Sequence, residues 1–136
     1  MGKIKKEFAQ IVNITNTGKK QDSYPIFCFK YLMNEPKQDP AGKAGFYAEF
    51  ITRLKKLSNL GWNAINVSDR HSYGYEKISI KDIKLKNFPS IVTPEIKDLV
   101  VFRATGDNRV FLGIRNDDIF HIIFIEENFG NAYKHV

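Results

Sequence analysis

The chain has 136 residues, of which 43% are hydrophobic and 26% charged, and its formal net charge is +6. This length and balance predict a single domain over 1–136 that buries a core without metals or disulfides. No apolar run approaches the roughly 20 residues that a membrane span needs. The N-terminus also lacks the apolar segment of a secretion signal, so we expect a cytoplasmic protein. The single cysteine, Cys28, lies in an apolar run that predicts a buried structural thiol.

The positive charge bears on the choice of partner. It permits binding to nucleic acid or another polyanion through phosphate attraction and counterion release. Most of the excess is lysine scattered along the chain, and such surfaces often serve only solubility. Charge alone therefore leaves nucleic-acid binding open.

The first half of the chain predicts strands and a helix. Met1–Gln10 suits a short amphipathic helix or an irregular lead-in, and Ile11–Ile14 a short strand. The nearly continuous apolar and aromatic run Tyr24–Met33 predicts a further strand. From Ala44, apolar residues recur every three or four positions, which predicts a helix that stops at Gly61. The residues of this apolar stripe are Phe46, Phe50, Leu54, Leu57 and Leu60.

The polar side of this helix and the segment that follows it are less regular. Basic residues near the helix C-terminus, Arg53, Lys55 and Lys56, are expected on its solvent side, where they complement the helix dipole. Trp62–Val67 predicts a short second element, and Asp69–Lys77 reads as a polar, aromatic loop.

The last third of the chain carries the strongest structural pattern. Three runs rich in Val, Ile and Phe, Leu99–Ala104, Val110–Ile114 and Ile119–Ile125, are separated by two turn sequences, Gly106–Asn108 and Asn116–Asp118. This predicts an antiparallel three-strand meander. The order of elements predicts an α+β domain, with helices packed on one face of a mostly antiparallel sheet.

The turn positions also predict how the meander strands pair. Turns centred on residues 106–107 and 116–117 place two rows of side chains across the sheet. The first row is Arg103, Val110 and Ile123, and the second is Val101, Leu112 and His121.

Several motifs that announce a chemistry are missing from the sequence. It has no Gly-rich phosphate loop, no Cys-x-x-Cys, no His-Glu-x-x-His and no Gly-x-Ser-x-Gly. The three histidines lie far apart without metal-ligand spacing, so we expect neither a metal nor a cofactor.

What remains is a group of basic residues with imidazoles and a phenol near the C-terminus: Arg103, Arg109, Arg115, His121, Tyr133, Lys134 and His135. Such a set suits RNA cleavage. Arginine can hold the scissile phosphate, while a tyrosine or histidine moves a proton to or from the reacting oxygens. Tyr73 and Tyr75 could stack on unpaired bases, and His71 lies in the same polar loop.

Each of these residues also has a purely structural interpretation. Arg109 could serve only to blunt a hairpin turn, and Arg103 and Arg115 could be plain surface charges. His121 suits a satisfied histidine inside the sheet. Tyr133 and His135 lie close enough to the end of the chain to fray. His71 could be a solvent-exposed side chain without a function.

The run from Arg103 to Phe111, followed by an apolar strand and a terminal Tyr133-Lys134-His135, resembles the C-terminal half of RelE/HigB/ParE-like toxins of toxin–antitoxin systems. The resemblance implies a RelE-like core over 24–136 with an N-terminal extension over 1–23. It also implies messenger RNA cleavage without a metal, in many cases on the ribosome, and a small acidic antitoxin as partner. By position, Arg109 would contact the phosphate and Tyr133 or His135 would transfer the proton. The basic residues before the meander would be Lys77, Lys81 or Lys84.

Two functional hypotheses therefore stand at the level of sequence. The first is a toxin-like, RNA-binding protein that acts as a metal-independent endoribonuclease. The alternative is a non-enzymatic interaction module of phage or mobile-element origin that binds a protein or nucleic acid through its basic face.

Overall fold

The computed structural model describes residues 23–36 and 43–135 and has an α+β fold with two helices and a five-stranded mixed sheet. The helix and strand expected over residues 1–14, and most of the N-terminal extension, lie outside the described residues. The elements are β1 (Ile26–Cys28), α1 (Lys43–Leu60), α2 (Trp62–Val67), β2 (Tyr75–Ser79), a 3-10 turn (Ile80–Asp82), β3 (Asp98–Arg103), β4 (Val110–Asn116) and β5 (Ile119–Ile125). Within residues 23–36 and 43–135, no helix is long and apolar enough to cross a bilayer.

The sheet order is β1-β5-β4-β3-β2. Strand β1 runs parallel to β5, and the other three pairings are antiparallel. The predicted meander is confirmed as β3, β4 and β5. The helices connect β1 at one edge of the sheet to β2 at the other.

The predicted helix stripe is also confirmed. Its residues Phe46, Phe50, Leu54 and Leu57 are buried, whereas Leu60 at the C-terminal end is 36% exposed. Gly61 separates α1 from α2 with a φ of 84°, a backbone conformation that glycine adopts without the steric cost of a Cβ.

The predicted solvent position of Arg53 is wrong. This half-buried side chain donates from Nε to the carbonyl of Arg103 (2.8 Å) and from Nη2 to the carbonyl of Ser72. The loop that follows α2 folds back towards this side of α1, so the guanidinium ties helix, loop and sheet together. Lys55 and Lys56 are exposed as expected.

The two faces of the sheet are covered by different parts of the chain. On one face, α1 and α2 enclose a cluster rich in aromatic rings, with Phe102, Phe111 and Phe120 contributed by the sheet. On the other face, strand residues such as Val101 and Leu112 pack against segments outside the helices. Residues 80–96 and the C-terminal tail from Ala132 supply that second cover.

Two predicted element boundaries in the first half are wrong. The strand expected over Tyr24–Met33 is only Ile26–Cys28, because the chain turns at residues 30–31 and Leu32 N donates to Phe29 O (3.1 Å). Cys28 is therefore on an edge strand and only half-buried. The end of the expected loop Asp69–Lys77 is instead the start of β2, which pairs with β3.

The predicted pairing is confirmed between β3 and β4 and is wrong between β4 and β5. Leu112 pairs with Phe124 rather than with His121. Ile123, expected opposite Val110, is an extra residue between two pairs, which is a β-bulge. The connecting turn is Asp117-Asp118, one residue later than predicted, with a φ of 55° at Asp117. The later turn and the bulge together displace the register.

Candidate functional site

A cleft of about 690 Å³ opens on the sheet face that the helices leave uncovered. This volume lies within the range of small-molecule sites in proteins, roughly 300–1,000 Å³. Strands β2, β3 and β4 form its floor, and the C-terminal tail forms one side. The cleft carries both signs of charge: its polar lining residues are Arg70, His71, Glu76, Asp82, Arg103, Asn108, Tyr133, Lys134 and His135.

Arg103 reaches the cleft because side chains alternate along β3. Val101 and Arg103 point to the helix-free face, and Phe102 between them points into the aromatic cluster. The Arg103 Nη2 atom donates to Asn108 Oδ1 (2.9 Å) and contacts His71 Nδ1 at 2.8 Å. A guanidinium can only donate, so both ring nitrogens of His71 face donors: Arg103 Nη2 at Nδ1 and, at 3.3 Å, Arg70 Nε at Nε2. Two arginines therefore flank one imidazole.

Glu76 connects a second arginine to the tail. One carboxylate oxygen of Glu76 forms a salt bridge with Arg70 Nη1, and the other accepts the Tyr133 hydroxyl at 3.2 Å. Burial, and then the Glu76 carboxylate, raise the pKa of Tyr133 above its ordinary value. The phenol therefore stays protonated at neutral pH and acts as a donor.

His135 is held from three directions. Its Nε2 atom lies 3.0 and 3.1 Å from the two carboxylate oxygens of Glu126. Glu126 is 0% exposed. The Oε2 oxygen of Glu126 also accepts backbone N–H donors from Gly130 (3.1 Å) and Ala132 (3.0 Å). The imidazole lies between the rings of Phe129 and Tyr133, with both centroid separations 4.2 Å.

Five of the residues singled out in the sequence therefore meet in one cleft: His71, Arg103, Tyr133, Lys134 and His135. Arg109 does not line it. The Arg109 guanidinium pairs with Asp107 (2.7 Å), donates to the carbonyl of Glu127 (2.9 Å) and lies 4.3 Å from the ring centre of Phe46. Arg115 is on the same helix-covered side, 3.9 Å from the ring of Trp62. Both cations are used as packing groups against aromatic rings.

The remaining candidates are also distributed away from the cleft. Tyr73 lies beneath the Arg53 guanidinium (4.8 Å), and the Tyr75 hydroxyl bonds Asn66 Oδ1 (3.0 Å). His121 packs against Tyr31 (5.5 Å), and its buried Nδ1 has no hydrogen-bond partner among the described residues. Lys77 and Lys81 are exposed and do not line the cleft, and Lys84 donates to the carbonyl of Gly130 (2.9 Å), which anchors the tail.

Sequence reasoning missed six residues of this site: Arg70, Glu76, Asp82, Asn108, Glu126 and Phe129. A usable signal existed for Glu126, because a pair of glutamates directly follows the apolar strand β5 and the chain then continues into aromatic residues. The contact between Arg70 and Glu76 spans a turn and a strand, and no local pattern announces it.

The arrangement offers guanidinium groups for an anion and a tyrosine and a histidine for proton transfer. Within the described part of the chain, no group of three or more His, Cys, Asp or Glu side chains is placed to hold a metal ion. Comparison with family models, with curated proteins and with solved structures finds no match to this chain.

Proposed function

We propose that this protein binds RNA in the cleft and cleaves it there, with its own side chains as general acid and base. The observation that carries the proposal is that Arg103 and His71, together with Tyr133 and His135, line one cleft although they come from distant parts of the chain. Cations, a protonated phenol and a held imidazole are the groups that transfer of a phosphoryl group to a 2′-hydroxyl requires.

The phosphate belongs with an arginine that faces the cleft. Arg103 faces the cleft and contacts the side chains of His71 and Asn108, whereas Arg70 is paired with Glu76. Arg109 is committed to Asp107, Glu127 and Phe46. A guanidinium matches the geometry of two phosphate oxygens and stabilises the charge that develops on them. The proposal therefore assigns phosphate binding to Arg103.

Proton transfer belongs with the tail. In the proposed reaction the 2′-oxygen forms a bond to phosphorus and its proton passes to a base. The bond from phosphorus to the 5′-oxygen then breaks, and that oxygen takes a proton from an acid. The products are a 2′,3′-cyclic phosphate and a free 5′-hydroxyl. Tyr133 is assigned the acid because its hydroxyl carries a proton, lines the cleft and already donates to a carboxylate there, that of Glu76.

The test is cleavage of a single-stranded RNA by the purified protein, with and without ribosomes. We expect wild type to cleave and Arg103→Ala to lose cleavage. Arg115→Ala is the matched control, because it removes the same charge from the helix-covered side and should cleave like wild type. RNA with a single 2′-deoxy nucleotide at the cut position should bind and remain intact. Intact RNA with wild type in both settings would contradict the nuclease, and binding without cleavage would assign the alternative, an interaction module.

The wider form of the proposal is a toxin of the RelE/HigB/ParE kind, neutralised by a small acidic protein. Its supports are the order of helices and antiparallel meander, the terminal Tyr-Lys-His that reaches the cleft, and a net charge of +6 that favours an acidic partner. Expression should arrest growth with loss of message, and Arg103→Ala should restore growth. Growth that is indifferent to the wild-type protein would contradict this wider form.

A further inference from the structure

We infer that Glu126 is a positioning residue that fixes the tautomer of His135, so that Nδ1 is the proton acceptor presented to the cleft. The tautomer itself follows from contacts within the protein. Only the use of Nδ1 as the base for a 2′-hydroxyl rests on the proposed function.

The first step of the argument is the direction of the hydrogen bonds at Glu126. Its Oε2 oxygen accepts from two backbone N–H groups, those of Gly130 and Ala132, which can only donate. The carboxylate is thus oriented as an acceptor towards the tail. His135 Nε2, 3.0 Å from Oε1, must therefore be the donor, and in a neutral ring the lone pair is then on Nδ1.

The second step is that the ring cannot readily choose another orientation. The Tyr133 ring stacks on it and the Phe129 ring lies tilted against it, both with centroids 4.2 Å away, and its side chain is only 13% exposed. Nε2 is bonded to a carboxylate of 0% exposure, so Nδ1 is the nitrogen through which His135 can meet a ligand in the cleft that it lines.

The third step is what this arrangement supplies to the reaction. Nδ1 accepts the 2′-hydroxyl proton as the oxygen bonds to phosphorus, and the resulting imidazolium is stabilised by the Glu126 carboxylate on its other side. A buried carboxylate behind a histidine base acts in this way in hydrolases, where it holds the ring in the productive tautomer. The other charged groups around the ring are Glu76 behind Tyr133, and Arg70, Arg103, Lys134 and Asp82 in the cleft.

The discriminating variant is Glu126→Gln. Its carbonyl must occupy the Oε2 position to accept the N–H groups of Gly130 and Ala132, which places its NH₂ beside His135 Nε2. The carbonyl at the Oε2 position stays 3.1 Å from Nε2, so the ring nitrogen faces one acceptor and one donor where wild type offers two acceptors. The substitution preserves volume, removes the charge and no longer fixes the tautomer. Glu127→Gln is the matched control, because it neutralises the neighbouring glutamate, whose side chain lies against Tyr47.

The measurement is ¹⁵N NMR of the imidazoles, taken to alkaline pH until the ring signals stop changing, so that the tautomer is read from the neutral ring. The chain has three histidines, and the His135 signals are those absent from a His135→Gln variant. We expect the Nε2–H tautomer in wild type and in Glu127→Gln, and a raised fraction of the Nδ1–H tautomer in Glu126→Gln. An Nδ1–H ring in wild type would overturn the inference even if Glu126→Gln does not fold.

Cleavage kinetics separate this inference from the proposed function. We expect Glu126→Gln to lower kcat by about 10²- to 10⁴-fold with little change in KM, the usual size of a general-base effect. A wild type that cleaves and a folded Glu126→Gln that cleaves equally well would overturn the role of Glu126 and leave the nuclease standing. A wild type that does not cleave would overturn the nuclease, while the NMR result would still decide the tautomer.

Discussion

The two faces of the sheet are closed in different ways, and the difference locates the site. On one face, two regular helices cover a cluster of interlocking rings, in which Phe111 contacts the rings of Phe27, Phe50, Phe102 and Phe120. On the other face, a turn-rich segment and the C-terminal tail cover only part of the sheet. The uncovered part, beside β2 and β3, is the cleft.

The same residue type behaves differently on the two faces. Arg109 and Arg115, on the helix-covered face, lie over the rings of Phe46 and Trp62. Arg103, on the open face, contacts His71 and Asn108 at the wall of a cleft. A cation on the closed face therefore contributes to packing, whereas a cation on the open face is available to a ligand.

The largest expected effect is a loss of stability from a substitution on the helix-covered face of the sheet. Phe111→Ala removes a ring that is 0% exposed and contacts four others, so we expect a loss of about 3–5 kcal/mol in the free energy of unfolding. Phe129→Ala, at the rim of the cleft and 56% exposed, should cost far less. Urea unfolding of the two variants makes the measurement. Equal losses would mean that the two faces are equally closed.

The next effect concerns the bulged pairing of β4 with β5, which both faces share. A Cβ on Gly113 would lie 2.0 Å from the carbonyl oxygen of His121 and 2.8 Å from a ring carbon of Phe120. Gly113→Ala must displace backbone, so we expect at least the roughly 1–3 kcal/mol typical of overpacking. Gly106→Ala is the control, because nothing lies within 4 Å of its Cβ position. Similar unfolding midpoints for both variants would contradict this register.

A third prediction compares the effects of replacing two arginines, one on each face of the sheet. Arg109→Ala loses a charge-assisted bond to the Glu127 carbonyl and a cation–π contact, so we expect about 1–3 kcal/mol of destabilisation with RNA binding retained. Arg103→Ala should leave stability nearly unchanged and weaken RNA binding. Denaturation and a binding titration on the same two proteins decide the matter. If Arg109→Ala weakened RNA binding and Arg103→Ala did not, phosphate binding would be assigned to Arg109.

Much of the fold follows from periodicity. A stripe at three- and four-residue spacing defined α1, and runs of β-branched and aromatic residues between turn sequences defined the meander. Strand β2 was missed because it lies at the sheet edge and carries polar residues such as Glu76 and Lys77. The bulge at Ile123 leaves no trace in an apolar run, so the β4–β5 register could not be predicted.

The site was partly predictable. Alternation alone separates the two arginines: Arg103 pairs with Val110, so Arg109, the neighbour of Val110, must point to the opposite face. The partners of Tyr133 and His135 were not accessible in this way. Glu76 and Glu126 reach them only because the tail folds back along the sheet, where Tyr133 pairs with Ile83.

The smallest predicted effect tests whether the closed face depends on charge. The Arg109 guanidinium lowers the pKa of Asp107, so the carboxylate is stabilised in the folded state. A lowered pKa contributes stability above the ordinary carboxyl pKa of about 3.9, and that contribution is lost as the pH falls through the lower folded value. Asp107 is 51% exposed in its side chain, so solvent screening limits the pair to about 0.2–1 kcal/mol. Asp107→Asn should therefore be less stable than wild type near neutral pH, and the gap should close below about pH 4 and shrink with added salt. A gap that persists unchanged in acid would contradict a contribution from the Asp107 charge. The hydrogen bond from the backbone N–H of Arg109 could not explain such a gap, because an asparagine oxygen also accepts it.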